Sequence, residues 1–148
     1  MKARVMAATM AAMILCTPMT AQAMDTQTQI NEEIYQGELQ LLACVVYAEA
    51  GNQDMTGKRL VVDTILNRVD SPQYPNSITE VIYQQNQFSC VTDGNLDKAF
   101  WNVTEDCFTA VSEELASRTD NSILYFTAGG YGQYGTPAYK HGSHYFSR

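Results

Sequence analysis

The chain is short of the residues on which several kinds of chemistry depend. It holds two histidines, His141 and His144, in 148 residues, whereas a catalytic metal usually takes three or so protein ligands. The pair is separated by Gly142 and Ser143 beside a predicted strand, so it resembles half a zinc site but reads better as a hydrogen-bonded pair. Neither a metal nor another cofactor is expected. The absence of Gly-x-Ser-x-Gly removes the serine nucleophile elbow, and the absence of Walker and Rossmann glycine patterns removes the commonest nucleotide folds. Basic residues are scarce too: nine Lys and Arg stand against 16 Asp and Glu, a net charge of −7. That balance speaks against a nucleic-acid partner. No internal repeat is visible.

What is present begins with an address. Lys2 and Arg4 precede an apolar stretch, Val5 to Cys16, and then Ala21-Gln22-Ala23. This is the charged, apolar and small-residue order of a secretory signal, with cleavage expected after Ala23 and a secreted or envelope location. A retained membrane anchor is the competing reading, but Pro18 interrupts the stretch, which is short for a span of roughly 20 residues. A lipid attachment at Cys16 is discounted because Leu15 before it is too large. Without residues 1–23 the net charge becomes −9, since Lys2 and Arg4 leave with them. The remainder is one domain's worth of chain, expected to be monomeric and without a stable membrane span.

Three cysteines then remain, Cys44, Cys90 and Cys107, an odd number for an oxidising compartment. Cys44 falls in an apolar helical pattern and reads as a small buried hydrophobe. Cys90 and Cys107 flank a loop whose closure would stabilise the fold by roughly 3 kcal/mol. A Cys90–Cys107 bridge is the favoured expectation, with Cys44–Cys90 as the alternative. A catalytic Cys44 paired with His144 is disfavoured, because a reactive thiol needs an accessible, electropositive setting.

Residues 24–36 are polar and lack sustained periodicity, so they are expected to form a flexible leader, unstructured or loosely helical. The domain proper is placed at residues 37–148. Its first helix is expected from Gly37 to Ala50, where Leu39, Leu42, Ala43, Val46, Tyr47 and Ala50 recur at helical spacing. Leu41, Cys44 and Val45 fill its other sides, which marks a buried helix, and Gly51 suits a left-handed stop. A second helix is predicted from the Asp54 cap to Val69, and Ser77-Ile78-Thr79-Glu80 matches a capping box opening a short helix through Tyr83. Asp93-Gly94-Asn95 marks a turn, and Phe108, Val111 and Leu115 give a helix from Thr104 to Ser117. Beta-prone residues at 123–126 and 144–146 predict two antiparallel strands. The segment between them, rich in glycine and tyrosine, is left as either a groove-lining loop or an exposed hairpin tip.

One carboxylate stands out: Glu49, the single acid in Leu41-Leu42-Ala43-Cys44-Val45-Val46-Tyr47-Ala48-Glu49-Ala50. Apolar surroundings and the carbonyl end of a helix dipole both favour the protonated acid, as proton donation to a glycosidic oxygen requires. The bland alternative is a helix-end glutamate in solvent or bonded to an amide. Asp93 and Asp97 are possible second carboxylates, and a one-carboxylate mechanism is the other option. The amide-rich loop Gln84-Gln85-Asn86-Gln87-Phe88-Ser89 suits hydrogen bonding to a polar ligand.

Several ordered motifs carry a family resemblance: Leu42-Ala43 with Val46-Tyr47-Ala48-Glu49-Ala50, Leu66-Asn67-Arg68-Val69, Tyr74-Pro75-Asn76, Val81-Ile82-Tyr83-Gln84, Gln87-Phe88-Ser89 and His144-Tyr145-Phe146. Together they resemble the cell wall hydrolases of the SleB/CwlJ type, the spore cortex-lytic enzyme family, from Leu39 to Phe146. The resemblance implies a mainly helical α+β domain like those of lysozymes and lytic transglycosylases, with a small antiparallel hairpin near the C-terminus and peptidoglycan as substrate. It implies Glu49 as general acid and then base, cleaving the bond between N-acetylmuramic acid and N-acetylglucosamine without a second carboxylate. It places Tyr47, Tyr83, Gln87, Phe88 and Ser89 at the substrate. Asn67 and Arg68 match as well and are read as structural, and His144 matches as either a substrate contact or a structural residue, the second being favoured. The alternatives left open are muramidase hydrolysis, N-acetylmuramoyl-L-alanine amidase activity and a wall-binding module without turnover. Two departures from the family are Gly51-Asn52-Gln53, where relatives often carry an acid, and the glycine- and tyrosine-rich segment near 128–139, where many are basic. No wall-binding repeat precedes the domain here, so a general envelope role is expected rather than a spore-specific one.

Overall fold

The computed structural model describes residues 19–148, with side chains from Met24 onward. The predicted export signal, residues 1–23, lies outside the fully described part. The chain divides into two units, residues 1–33 and 34–148, and the architecture that follows belongs to the second. No helix among the described residues is long and apolar enough to cross a membrane.

Helix α1 spans Met19–Ala50. Residues 24–36, expected as a loose leader, are helical in it, with every side chain exposed. Its apolar end is the buried part: Leu42, Ala43, Val45, Val46 and Ala50 are fully inaccessible. The stop differs from expectation, because Gly51 does not adopt a left-handed φ. Glycine is needed there for space, since a Cβ would lie 2.5 Å from the Tyr47 carbonyl oxygen.

Helix α2, Met55–Asp70, starts where predicted, with the Asp54 carboxylate accepting from the Gly57 amide at 2.8 Å. It is the central element, packing on α3, α5 and β1, and it is buried on several faces. Helix α3, Ile78–Ile82, opens on the expected capping box: the Ser77 hydroxyl accepts from the Glu80 amide and pairs with its carboxylate. Thr79 in turn donates through its amide and hydroxyl to Glu38 of α1. Helix α5, Glu105–Ala116, follows Thr104 as predicted.

Helix α4, Asn95–Asn102, was not anticipated beyond the turn that starts it, where Gly94 sits at φ 79°. Ala99 is its one buried residue, while Phe100 and Trp101 face solvent; Leu96, Ala99 and Phe100 do recur at helical spacing, but eight residues give the pattern barely two turns in which to repeat.

The sheet has three antiparallel strands rather than two. Strands β1 (Tyr125–Ala128), β2 (Pro137–His141) and β3 (His144–Ser147) are ordered β1-β3-β2. The predicted pair is the β1–β3 ladder, with Phe126 opposite Phe146. The glycine- and tyrosine-rich segment adds β2 on the other edge through a two-residue loop in which Gly142 takes φ 55°. A main core unites α1, α2, α3 and α5, and a smaller cluster of Leu60, Ile123 and Phe146 lies under the sheet.

The three cysteines are free and buried. The favoured Cys90–Cys107 bridge is absent, and so is the Cys44–Cys90 alternative. Cys90 and Cys107 lie in the main core as small hydrophobes, and Cys44 is buried beside the cavity that Leu41 and Tyr83 line. Cys90 faces Glu49, Cys107 sits 3.5 Å from the Thr104 hydroxyl, and Cys44 accepts from the Gln40 amide.

Candidate active site

Glu49 occupies the last turn of α1, half-buried, at the wall of a cavity of about 500 Å³. The other walls come from four distant stretches: Arg68 at the end of α2, the loop after α3 with Asn86, Gln87, Phe88 and Ser89, strand β1 with Phe126 and Thr127, and His144 opening β3. A second cavity of about 590 Å³ continues from it, sharing Arg68, Asn86, Gln87, Phe126 and Thr127 and adding Tyr74, Tyr125, Tyr134 and Tyr145. The two form a groove walled by amides, hydroxyls and aromatic rings. Glu49 is the one carboxylate among the residues lining it.

Beneath the acid lies Cys90, which is 3 % exposed. Burial, then the Glu49 charge and the hydrogen bond to it, push the Cys90 thiol up to about 12. It therefore stays protonated and can donate to the carboxylate. Burial likewise raises Cys44, which does not line the groove; a nucleophilic Cys44 is incompatible with that setting.

His144 is buried, its Nδ1 has no hydrogen-bond partner, and its ring packs 5.1 Å from Phe126. Burial, then the nearby His141, lowers its pKa from the ordinary 6.5, so the ring is neutral at pH 7. The expected histidine pair is not mutually bonded: His141 instead contacts Asp54 at 2.8 Å. Among the described residues no group of three His, Cys, Asp or Glu is placed to hold a metal.

The loop that faces Glu49 is held from below. Arg68 donates to the Leu124 carbonyl at 2.7 Å and to the Gln87 side-chain oxygen at 2.9 Å, and Asn67 donates to the carbonyls of Asp120 and Ile123. Both therefore anchor the segment leading into β1, as the structural reading expected. Asn86 is the one non-glycine residue with positive φ among those described, at 62°, a conformation that asparagine tolerates better than most.

Of the residues predicted at the substrate, Gln87, Phe88 and Ser89 join Glu49 in the groove. Tyr47 packs against the main core and lines neither cavity. Tyr83 lines a separate cavity of about 530 Å³ with Leu96, Phe100 and Trp101. Asp97 lies in that second place too, and the Asp93 carboxylate accepts from the amide and side chain of Asn95. Sequence reasoning placed Asn86 only as part of the amide-rich loop, did not place Phe126 or Thr127 at the site, assigned Arg68 to structure, and favoured structure over substrate contact for His144.

A mainly helical domain with a small antiparallel sheet, bearing one carboxylate over a long polar and aromatic groove, is the class that fold and site define. A family model described as Cell Wall Hydrolase matches residues 52–147, and the chain belongs to that family. It is 31% identical over 101 residues to a spore cortex-lytic enzyme of Bacillus cereus, an alignment covering 67% of this chain and 38% of that protein. The chain thus spans about two fifths of that relative's length. Its fold matches the catalytic domain of the germination-specific lytic transglycosylase SleB from Bacillus anthracis with a TM-score of 0.66 at 28% identity, covering 76% of this chain and 95% of that domain. The catalytic domain of the Bacillus cereus SleB protein matches equally, with 91% of it covered. The family match begins three residues after Glu49 and does not include it.

Proposed function

We propose that this chain is an exported enzyme that cleaves peptidoglycan between N-acetylmuramic acid and N-acetylglucosamine as a lytic transglycosylase, with Glu49 as acid and then base. The observation that carries this reading is the single carboxylate on the groove. A retaining hydrolase needs a second carboxylate as nucleophile and an inverting one needs it as base for water. A transglycosylase needs neither.

In the first half of the reaction the Glu49 carboxyl gives its proton to the glycosidic oxygen as the bond from that oxygen to muramic C1 breaks. The leaving glucosamine unit departs with a free 4-hydroxyl. Positive charge builds at C1, and the carboxylate now present at Glu49 opposes it at short range. In the second half Glu49 takes the proton of the muramic 6-hydroxyl while that oxygen bonds to C1. The product is a 1,6-anhydro end, no water is consumed, and Glu49 returns protonated. Gln87, Ser89 and Asn86 offer amides and a hydroxyl for sugar substituents, and Phe88 and Phe126 supply apolar surface.

Replacing Glu49 by Gln keeps the side-chain shape and removes the titrating proton. Anhydro-muropeptide release from purified walls, followed by mass spectrometry, should fall by about 10² to 10⁴-fold. Products of the unaltered protein decide the chemistry: reducing-end muramic acid, one water heavier, indicates hydrolysis, and a freed stem peptide indicates an amidase. Undiminished anhydro release by the Glu49→Gln protein overturns the assignment of Glu49.

A further inference from the structure

Arg68 is the one permanent cation among the residues lining the groove, and it is 4 % exposed. The other buried or half-buried basic side chains of the domain meet acids: Lys58 pairs with Asp106, Arg59 with Glu113 and Glu114, and Arg118 with Asp70, while Lys98, Lys140 and Arg148 have uncharged partners. Arg68 pairs with no acid. Its partners are uncharged: the Leu124 carbonyl, the Gln87 amide oxygen, and the rings of Tyr74, Phe88 and Tyr125, whose centres lie 5.2, 5.5 and 5.7 Å from the guanidinium carbon. Nε and Nη1 are engaged, and Nη2 has no hydrogen-bond partner among the described residues.

Burying an unpaired guanidinium is strongly unfavourable unless something compensates it. Anchoring Leu124 and Gln87 would be served as well by a neutral donor. The side chain also stands where the two cavities meet, on a wall common to both, so it is placed to be reached from the groove. A planar fork with one free edge, in a low-dielectric setting framed by aromatic rings, matches a carboxylate better than any neutral sugar substituent. The chain's net charge of −7 repels an anionic polymer at a distance, so recognition of an anion requires a local cation.

We propose that Arg68 binds a carboxylate of the glycan substrate at the junction of the two cavities. This rests on the peptidoglycan reading above and adds what the groove selects. Two carboxylates of that polymer share the chemistry. One is the 3-O-lactyl group of muramic acid, which is free when the stem peptide has been removed and amide-bonded otherwise. The other belongs to the stem peptide itself. If the lactyl group is the ligand, an amide-cleaving reaction must act on the strand first.

The test measures binding to the full-length Glu49→Gln protein by calorimetry, so that no turnover intervenes. Four glycan oligosaccharides are compared: peptide-stripped with free lactyl carboxylates, the same with those groups converted to methylamides, peptide-bearing, and peptide-bearing with the stem carboxylates amidated. A carboxylate form should bind about tenfold tighter than its neutralised counterpart, as expected for a charge-assisted fork, and the pair that shows the difference identifies the source. Adding Arg68→Gln should abolish that preference, and Arg68→Lys should keep part of it, with thermal melts confirming that each is folded. Equal binding of all four ligands overturns the proposal, as does an unchanged preference in folded Arg68→Gln. If the glutamine variant does not fold, the four-ligand comparison on the protein with Arg68 intact still decides. Because binding needs no turnover, this result is independent of whether anhydro ends are released.

Discussion

At the scale of single residues, buried charge is organised around α2. Glu114 of α5 is fully buried, and it accepts from Arg59 and from the Thr119 amide and hydroxyl. Burial works against its charge, but hydrogen bonds from Asp63, Thr119 and Arg59 outweigh it and hold the carboxyl below its ordinary range. Asp63, also fully buried, takes the opposite role. Burial, then the hydrogen bond to Glu114, push it up to about 8. One Asp63 oxygen accepts from the Asp120 amide at 2.8 Å, and the other, Oδ1, is buried with no donor to it, the place for a proton retained beside Glu114. A folded-state pKa above the unfolded 3.8 means that the folded protein retains a proton the unfolded chain releases. The stability from this group is complete below about pH 4 and is lost as pH rises through about 8. Asp63→Asn supplies a permanent donor to Glu114 and keeps the acceptor for Asp120. Its melting temperature should fall less than that of the unaltered protein between pH 6 and 9, read by circular dichroism; parallel declines would remove Asp63 as the cause.

At the scale of elements, the turn between α1 and α2 is latched to the turn between β2 and β3. Gln53 accepts from the Ser143 amide at 3.1 Å, and Asp54, besides capping α2, contacts His141. The fit requires glycine at 142, where φ is 55° and a Cβ would run into the Gln53 side-chain oxygen. Gly142→Ala should destabilise the domain by about 1–3 kcal/mol in urea unfolding. Adding Gln53→Ala removes the collision and leaves the backbone strain, so the pair should be less than additive. This latch ties the strand bearing His144 to the helix end bearing Glu49.

The elements that were legible in the sequence had local signals. Asp54 and Ser77 mark helix starts by caps that form as expected, and the apolar run 42–46 marks a buried helix because nearly every side of it is covered. Helix α4 and strand β2 had weaker ones: the first spans only eight residues and buries Ala99 alone, and the second begins at a proline after a glycine- and tyrosine-rich stretch and is interrupted by an irregularity between Pro137 and Tyr139. The site shows the same division. Gln87, Phe88 and Ser89 belong to one short loop and arrive together. Tyr47 stands two residues before Glu49, about 200° around a helix, so it meets the core when Glu49 meets the groove. Tyr83 caps α3 and belongs to the cavity beside α4.

At the scale of the whole molecule, the fold is held by its core and its buried polar anchors, with no disulfide among the described residues. Free Cys44, Cys90 and Cys107 imply that a thiol reductant leaves the melting temperature unchanged. A Cys90–Cys107 bridge would instead lower it on reduction, by the equivalent of roughly 3 kcal/mol. Calorimetry with and without reductant separates the two outcomes. The amino-acid sequence by itself determined the helical class of the domain, its capped helix starts, the acidic balance and the isolated acid at 49, because each is written in neighbouring residues or in composition. Tertiary structure alone decided that β3 lies between β1 and β2, that the thiols stay apart, and that Arg68 and His144 share a groove with Glu49. Those outcomes depend on packing between segments far apart in the chain, and no local window of sequence contains them.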